Sequence, residues 1–130
     1  MERYRRTHTT VSDINYHFIW IPRRRKKVLK GEIKKRLNEL IHQALSELDC
    51  RLISLAIKSD HVHLFVNAPC HLSIPAIMHK IKGMSARYLR KEFDSLKKLP
   101  SMWTRSYFVS TARQVSLETI KEYVEAQGKD

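Results

Sequence analysis

The stretch Arg51–Ala68 reads RLISLAIKSDHVHLFVNA. Both halves are rich in apolar and β-branched residues, and only Ser59-Asp60 separates them. They predict two strands, Arg51–Lys58 and His61–Ala68, joined as an antiparallel hairpin by a very short turn. Side chains alternate along a strand, so Val62, Leu64 and Val66 share one face while His61, His63 and Phe65 share the other. The first set belongs in a core. The second raises the question of what two imidazoles do on a sheet, and the answer depends on what the rest of the chain supplies.

Toward the N-terminus, Ile14–Ile21 (INYHFIWI) is aromatic and β-branched and stops at Pro22, which predicts a further strand followed by the basic loop PRRRKK. From Glu32 to Leu48, apolar residues at Ile33, Leu37, Leu40, Ile41, Ala44, Leu45 and Leu48 line one side of a helix. Toward the C-terminus, Ser73 caps a second helix with Pro75 in its first turn and an apolar face running from Ile74 to Leu89, ending near Phe93. Ser106–Ser110 predicts a short fourth strand. Ser116 then caps a last helix, with Glu118 in its first turn and Gly128 as the stop after Gln127.

The order β-α-β-β-α-β plus a terminal helix predicts an α+β, ferredoxin-like fold: one antiparallel sheet with the two long helices on the Val62 face. Phe65 and the alternating apolar residues of the first strand imply that the histidine face is partly covered too, by the terminal helix or by a second subunit. A length of 130 residues suits a single domain, 1–130, with a real core.

Charge narrows the partners. With 25 Lys and Arg against 13 Asp and Glu, the net charge of +12 attracts polyanions. No apolar run approaches the roughly 18–20 residues that span a bilayer, and no apolar stretch follows the basic start MERYRRTHTT, so the expectation is a cytoplasmic protein with nucleic acid, not membrane, as partner. Cys50 and Cys70 stand apart with no C-x-x-C pairing and are expected as core fillers in a reducing compartment.

Neutral imidazoles at i and i+2 on a strand point the same way, so their ring nitrogens can converge on a divalent ion. Hydrogen-bonded structural histidines give the same pattern. An ion acting on a phosphate needs a third ligand and an open position, and oxygen ligands favour Mg²⁺ or Mn²⁺ over a closed zinc cage. The last helix offers Tyr123 and Gln127 at i and i+4, on one face, a phenol that can attack and an amide that can help hold metal. Leu117, Ile120 and Val124 make that helix amphipathic, so Tyr123 also reads as a packing residue at the edge of the apolar stripe. Phosphate contacts are expected from Arg3, Arg5, Arg6, Arg23, Arg24, Arg25, Lys26, Lys27, Lys80, Lys82, Arg87, Arg90 and Lys91, and base stacking is open to Tyr4, Trp20, Trp103 and Tyr107, with core packing the favoured role of each.

Five ordered segments then carry a resemblance over nearly the whole chain. YHFIWIPRRRKKVL, SDHVHLFV, IKGMSARYLRKEF, WTRSYFVST and YVEAQ resemble the first strand and basic loop, histidine motif, second long helix, last strand and nucleophile helix of the single-tyrosine HUH transposases of insertion sequences, the TnpA type. The resemblance implies that His61, His63 and Gln127 bind the divalent metal, Mg²⁺ or Mn²⁺, and that Tyr123 is the nucleophile, forming a 5′-phosphotyrosine. It also implies single-stranded DNA with a hairpin near each transposon end as substrate, and a homodimer whose active site joins the histidines of one subunit to the tyrosine helix of the other. One segment departs from the pattern: the linker before the tyrosine helix, STARQVS, lacks the glycine common there. Two other functions fit parts of the chain. A noncatalytic nucleic-acid-binding module would use the same sheet and basic surface, and a replication or relaxase-type nickase would share the chemistry, although the short chain, with no appended domain, disfavours it.

Overall fold

The computed structural model describes residues 4–127, so the expected stop at Gly128 and the basic Arg3 lie outside the described residues. A small ribbon comes first, pairing β1 (Arg5–Arg6) with β2 (Val11–Ser12). The central sheet follows from β3 (Ile14–Trp20), β4 (Arg51–Lys58), β5 (His61–Ala68) and β6 (Phe108–Ser110), in the antiparallel order β4-β5-β3-β6. Helix α1 (Gly31–Glu47) and helix α2 (Ile74–Glu92) are the crossovers, and α3 (Leu117–Gln127) ends the chain. This is the expected ferredoxin-like arrangement with one helix added.

The hairpin forms as read, with Lys58 opposite His61 across the Ser59-Asp60 turn. Its alternation decides the layers. Val62, Leu64 and Val66 are fully buried with Phe18 and Trp20 against Leu37, Leu40 and Ile41 of α1 and Ile77, Met78 and Ile81 of α2. On the opposite face Ile19 and Ile21 pack with Ile120 and Val124, so α3 of the same chain is a cover for the histidine side.

Local chemistry sets the ends of the elements. Ser73 Oγ accepts from the Ala76 amide, and Ser116 Oγ from the Thr119 amide at 3.1 Å, the caps expected of both residues. Strand β6 is shorter than the expected Ser106–Ser110, because the Ser106 carbonyl turns away from the ladder to accept from Lys82 Nζ at 3.2 Å. In β4 the register shifts between Leu52 and Ser54, inserting Ile53 as a bulge that is 49% exposed.

The two tryptophans take the packing role favoured for each, and one cysteine departs from expectation. Trp20 is fully buried and Trp103 is 5% exposed, the two rings meeting edge to face at 6.0 Å, so neither is available to stack on a base. Cys70 is not a core filler. It lies exposed just after β5, beside Thr10, whereas Cys50 is half-buried. Among the described residues no helix is long and apolar enough to cross a membrane.

Candidate functional site

The site begins at the turn between β4 and β5. Asp60 Oδ1 accepts from His61 Nδ1 at 2.9 Å, while its Oδ2 accepts from Arg25 Nε at 3.0 Å. Burial pushes the Asp60 pKa up, but hydrogen bonds and charge from His61 and Arg25 outweigh it and hold the carboxyl below its usual range. Arg25 reaches it from the basic loop, where Arg24 and Arg25 both have positive φ, 58° and 52°, a left-handed conformation that costs free energy for residues with a side chain. That strained loop therefore fixes a carboxylate, and the carboxylate fixes an imidazole. With Nδ1 donating to Asp60, His61 keeps its lone pair on Nε2, the orientation commonly imposed on metal-binding histidines by a carboxylate behind them.

His63 has a partner that its spacing could not reveal. Its Nε2 lies 3.1 Å from His17 Nδ1, and His17 Nε2 lies 3.4 Å from the Arg113 carbonyl oxygen. A carbonyl only accepts, so neutral His17 donates from Nε2 and accepts at Nδ1; His63 then donates Nε2–H and holds its lone pair on Nδ1. The His17 ring is 5% exposed and stacks on Phe65, with centroids 3.9 Å apart and planes 4° apart. Burial, then the neighbouring His17 and His61, lowers the His63 pKa and keeps that imidazole neutral, the form that can ligate a cation.

The third group is on α3. Tyr123 Oη is 2.9 Å from Ser106 Oγ, and Ser106 Oγ donates to Gln127 Oε1 at 3.0 Å. Because the single hydroxyl proton of Ser106 goes to Gln127, Tyr123 O–H donates to Ser106. The phenol and the amide oxygen are thereby held on one serine. Lys82 steadies that serine from behind, its Nζ donating to the carbonyls of Thr104, Arg105 and Ser106 at 2.7, 3.3 and 3.2 Å. Burial brings the Lys82 pKa down to about 8.

Two clusters are thus built on one sheet face: the histidines with Asp60 and His17, and Tyr123 with Gln127 on Ser106. Among the described residues no set of three or more His, Cys, Asp or Glu side chains is arranged to hold a metal. Two imidazole lone pairs and one amide oxygen fall short of the four protein ligands of a closed zinc cage, so an ion held by them would keep positions open for water and phosphate.

The basic residues divide sharply. Arg25 holds Asp60, Lys82 holds the 104–106 carbonyls, Arg90 donates to the Leu99 carbonyl, Arg23 to Ser101 Oγ and Lys80 to Glu47. Arg24, Lys26 and Arg87 are exposed.

The match to known proteins decides the family. The model described as "Transposase IS200 like" matches residues 10–127, which includes both clusters. The chain belongs to the IS200-like transposase family. Its relatives include the ISDra2 transposase TnpA of Deinococcus radiodurans, 29% identical over 120 residues, with 90% of this chain and 86% of that protein covered. The transposase for insertion sequence element IS200 of Salmonella typhimurium is 24% identical over 115 residues, covering 86% of this chain and 75% of the relative. In three dimensions the IS200-like chain is similar to a Deinococcus radiodurans crystal structure assigned as a transposase, with a TM-score of 0.90, 28% identity, and 97% and 99% of the two chains covered. A REP-associated tyrosine transposase bound to a REP hairpin shares the fold, at TM-score 0.59 and 16% identity over 96% of this chain and 69% of that one. Membership of this transposase family makes the chain an enzyme that cleaves and rejoins DNA.

Proposed function

We propose that the chain cleaves and rejoins single-stranded DNA at hairpin-bearing transposon ends through a 5′-phosphotyrosine on Tyr123, with Mg²⁺ or Mn²⁺ as cofactor. The observation that carries this reading is the hydrogen-bonded run Tyr123–Ser106–Gln127, which sets a nucleophile beside an amide oxygen on a helix packed over the histidine face. The hairpin in the structure of the REP-associated relative supports the substrate class.

A phenol with a pKa of about 10 is mostly protonated at neutral pH and must lose its proton as it attacks. In the reaction Tyr123 Oη forms a bond to phosphorus, the bond from phosphorus to the 3′ oxygen breaks, and that oxygen leaves as a free 3′-hydroxyl after taking up a proton. The phosphotyrosyl diester keeps much of the free energy of the bond it replaced, so a different 3′-hydroxyl can reverse the step and join new strands without ATP. Held by His61, His63 and Gln127, the divalent ion would act as a Lewis acid on the non-bridging oxygens of the phosphate under attack. Asp60, oriented by Arg25, keeps the His61 lone pair aimed outward, and His17 fixes the His63 ring. Arg24, Lys26 and Arg87 are the exposed phosphate contacts. Arg23, Arg25, Lys80, Lys82 and Arg90 shape the loops around them.

The working unit in this reading is a single catalytic domain, 1–130, acting in the cytoplasm as a homodimer. Helix α3 buries only Ile120 and Val124 well and leaves Leu117 85% exposed, a light attachment suited to a helix that can serve a partner's histidines. Incubating the protein with its hairpin-bearing end and Mn²⁺ gives a covalent protein–DNA adduct on a denaturing gel. EDTA added before the DNA prevents the adduct, as does Tyr123→Phe; binding without any adduct would return the chain to a noncatalytic DNA-binding role.

A further inference from the structure

Beyond the His17–Phe65 stack, on the same face of the sheet, lies an open cleft of about 450 Å³ that the chemistry above does not use. Its wall is Phe65 with Ile53, the bulge residue turned half into solvent. At its edge is an amide whose orientation is settled by its neighbours. Arg5 Nε can only donate, and it donates to Asn67 Oδ1 at 2.6 Å; Asn67 Nδ2 therefore donates to Asn15 Oδ1 at 2.9 Å, and Asn15 Nδ2 to Asp13 Oδ1 at 3.3 Å. Asn15 is thus held by both ends of its amide, with a second N–H and a second lone pair left over, and it is only half-buried. Arg113 lines the cleft as well, and among the described residues its guanidinium makes no hydrogen bond or ion pair.

We infer that this cleft binds one unpaired nucleotide of the DNA strand, with the base against Phe65 and Ile53, the base edge on Asn15, and the phosphate near Arg113. The inference rests on the single-stranded DNA reading and adds to it a site of base recognition. An apolar wall accepts any base face by stacking, whereas an oriented amide with one donor and one acceptor left matches the N7 acceptor and N6 donor of adenine. The cleft also adjoins the histidines: Phe65 stacks on His17, and His17 bridges His63 to the Arg113 carbonyl.

The test is titration of the ¹⁵N-labelled, metal-free protein with dAMP and with dTMP, followed by amide chemical shifts. Shifts confined to residues 15, 53, 65, 67 and 113 are expected, with dAMP binding tighter by about tenfold, the worth of one bidentate base contact. Asn15→Ala removes that preference, Arg113→Ala weakens both nucleotides alike, and Ile53→Ser, at an exposed position the fold does not need, weakens both through lost stacking. Absence of shifts in the cleft, or equal affinity for the two nucleotides, overturns the proposal. The Tyr123 adduct is read independently of these shifts, so failure here leaves the cleavage reading standing, and an absent adduct leaves the cleft measurable.

Discussion

The two faces of the central sheet are made by alternate residues of the same strands, and they are held in different ways. On one, Phe18, Trp20, Val62, Leu64 and Val66 disappear under two helices of 17 and 19 residues. On the other, Ile19 and Ile21 pack with Ile120 and Val124 of a shorter third helix and with Phe108 and Val115, and His17, His61 and His63 lie on the same face, each tied by a specific hydrogen bond. Free energy from apolar burial is concentrated on the first face, which leaves the second able to hold polar groups in fixed orientations. Strand β5 therefore alternates between stability and chemistry at successive residues.

Adjacent substitutions in β5 should separate the two faces. Leu64→Ala, in the fully buried layer, should cost about 2–5 kcal/mol in urea unfolding. Asp60→Asn should leave the fold nearly as stable and lower Mn²⁺ affinity about ten- to a hundredfold by calorimetry, because it loosens the His61 ring; a loss of stability as large as that of Leu64→Ala would erase the contrast. His63 sharpens it through pH. Its folded pKa lies below the ordinary value of 6.5, so its contribution is complete above that pH and is lost as pH falls through the folded pKa, where the unfolded chain takes up a proton that the native state disfavours. Urea midpoints of the metal-free protein measured from about pH 8 to about pH 5 should fall, and His63→Gln should flatten part of that slope. The smallest effect is expected at the exposed pair that joins α1 to α2: Arg36 Nε lies 2.8 Å from Glu92 Oε1, yet Arg36→Ala should barely move the urea midpoint, and less still in high salt.

How much of this was legible follows from the range of each interaction. The β4–β5 hairpin, the caps at Ser73 and Ser116 and the facing of β5 are local patterns, so alternation and capping chemistry expose them. The pairing of Tyr123 with Gln127 is one helical turn, equally local. The residues that sequence reasoning missed act at long separation. His17 meets His63 across paired strands, Arg25 meets Asp60 from the basic loop, and Ser106 gathers two side chains of α3, contacts for which no spacing rule exists. Lys82 and Arg90 read as surface cations because helical periodicity shows a polar position; it cannot show that a loop folds its carbonyls onto them. The bulge at Ile53 and the two-residue strands of the β1–β2 ribbon are too short to leave a periodic signal. One signal was available for His17: it is the polar residue in an otherwise buried run, two positions before Ile19 and hence on the histidine side of β3.

The most direct measurement is peptide mapping of the covalent adduct formed on a hairpin-bearing single strand in the presence of Mn²⁺. The account predicts that the nucleotide is carried by the peptide containing Tyr123 and by no other. Recovery of the nucleotide on Tyr16, Tyr88 or Tyr107, or of an adduct from protein carrying Tyr123→Phe, would contradict it.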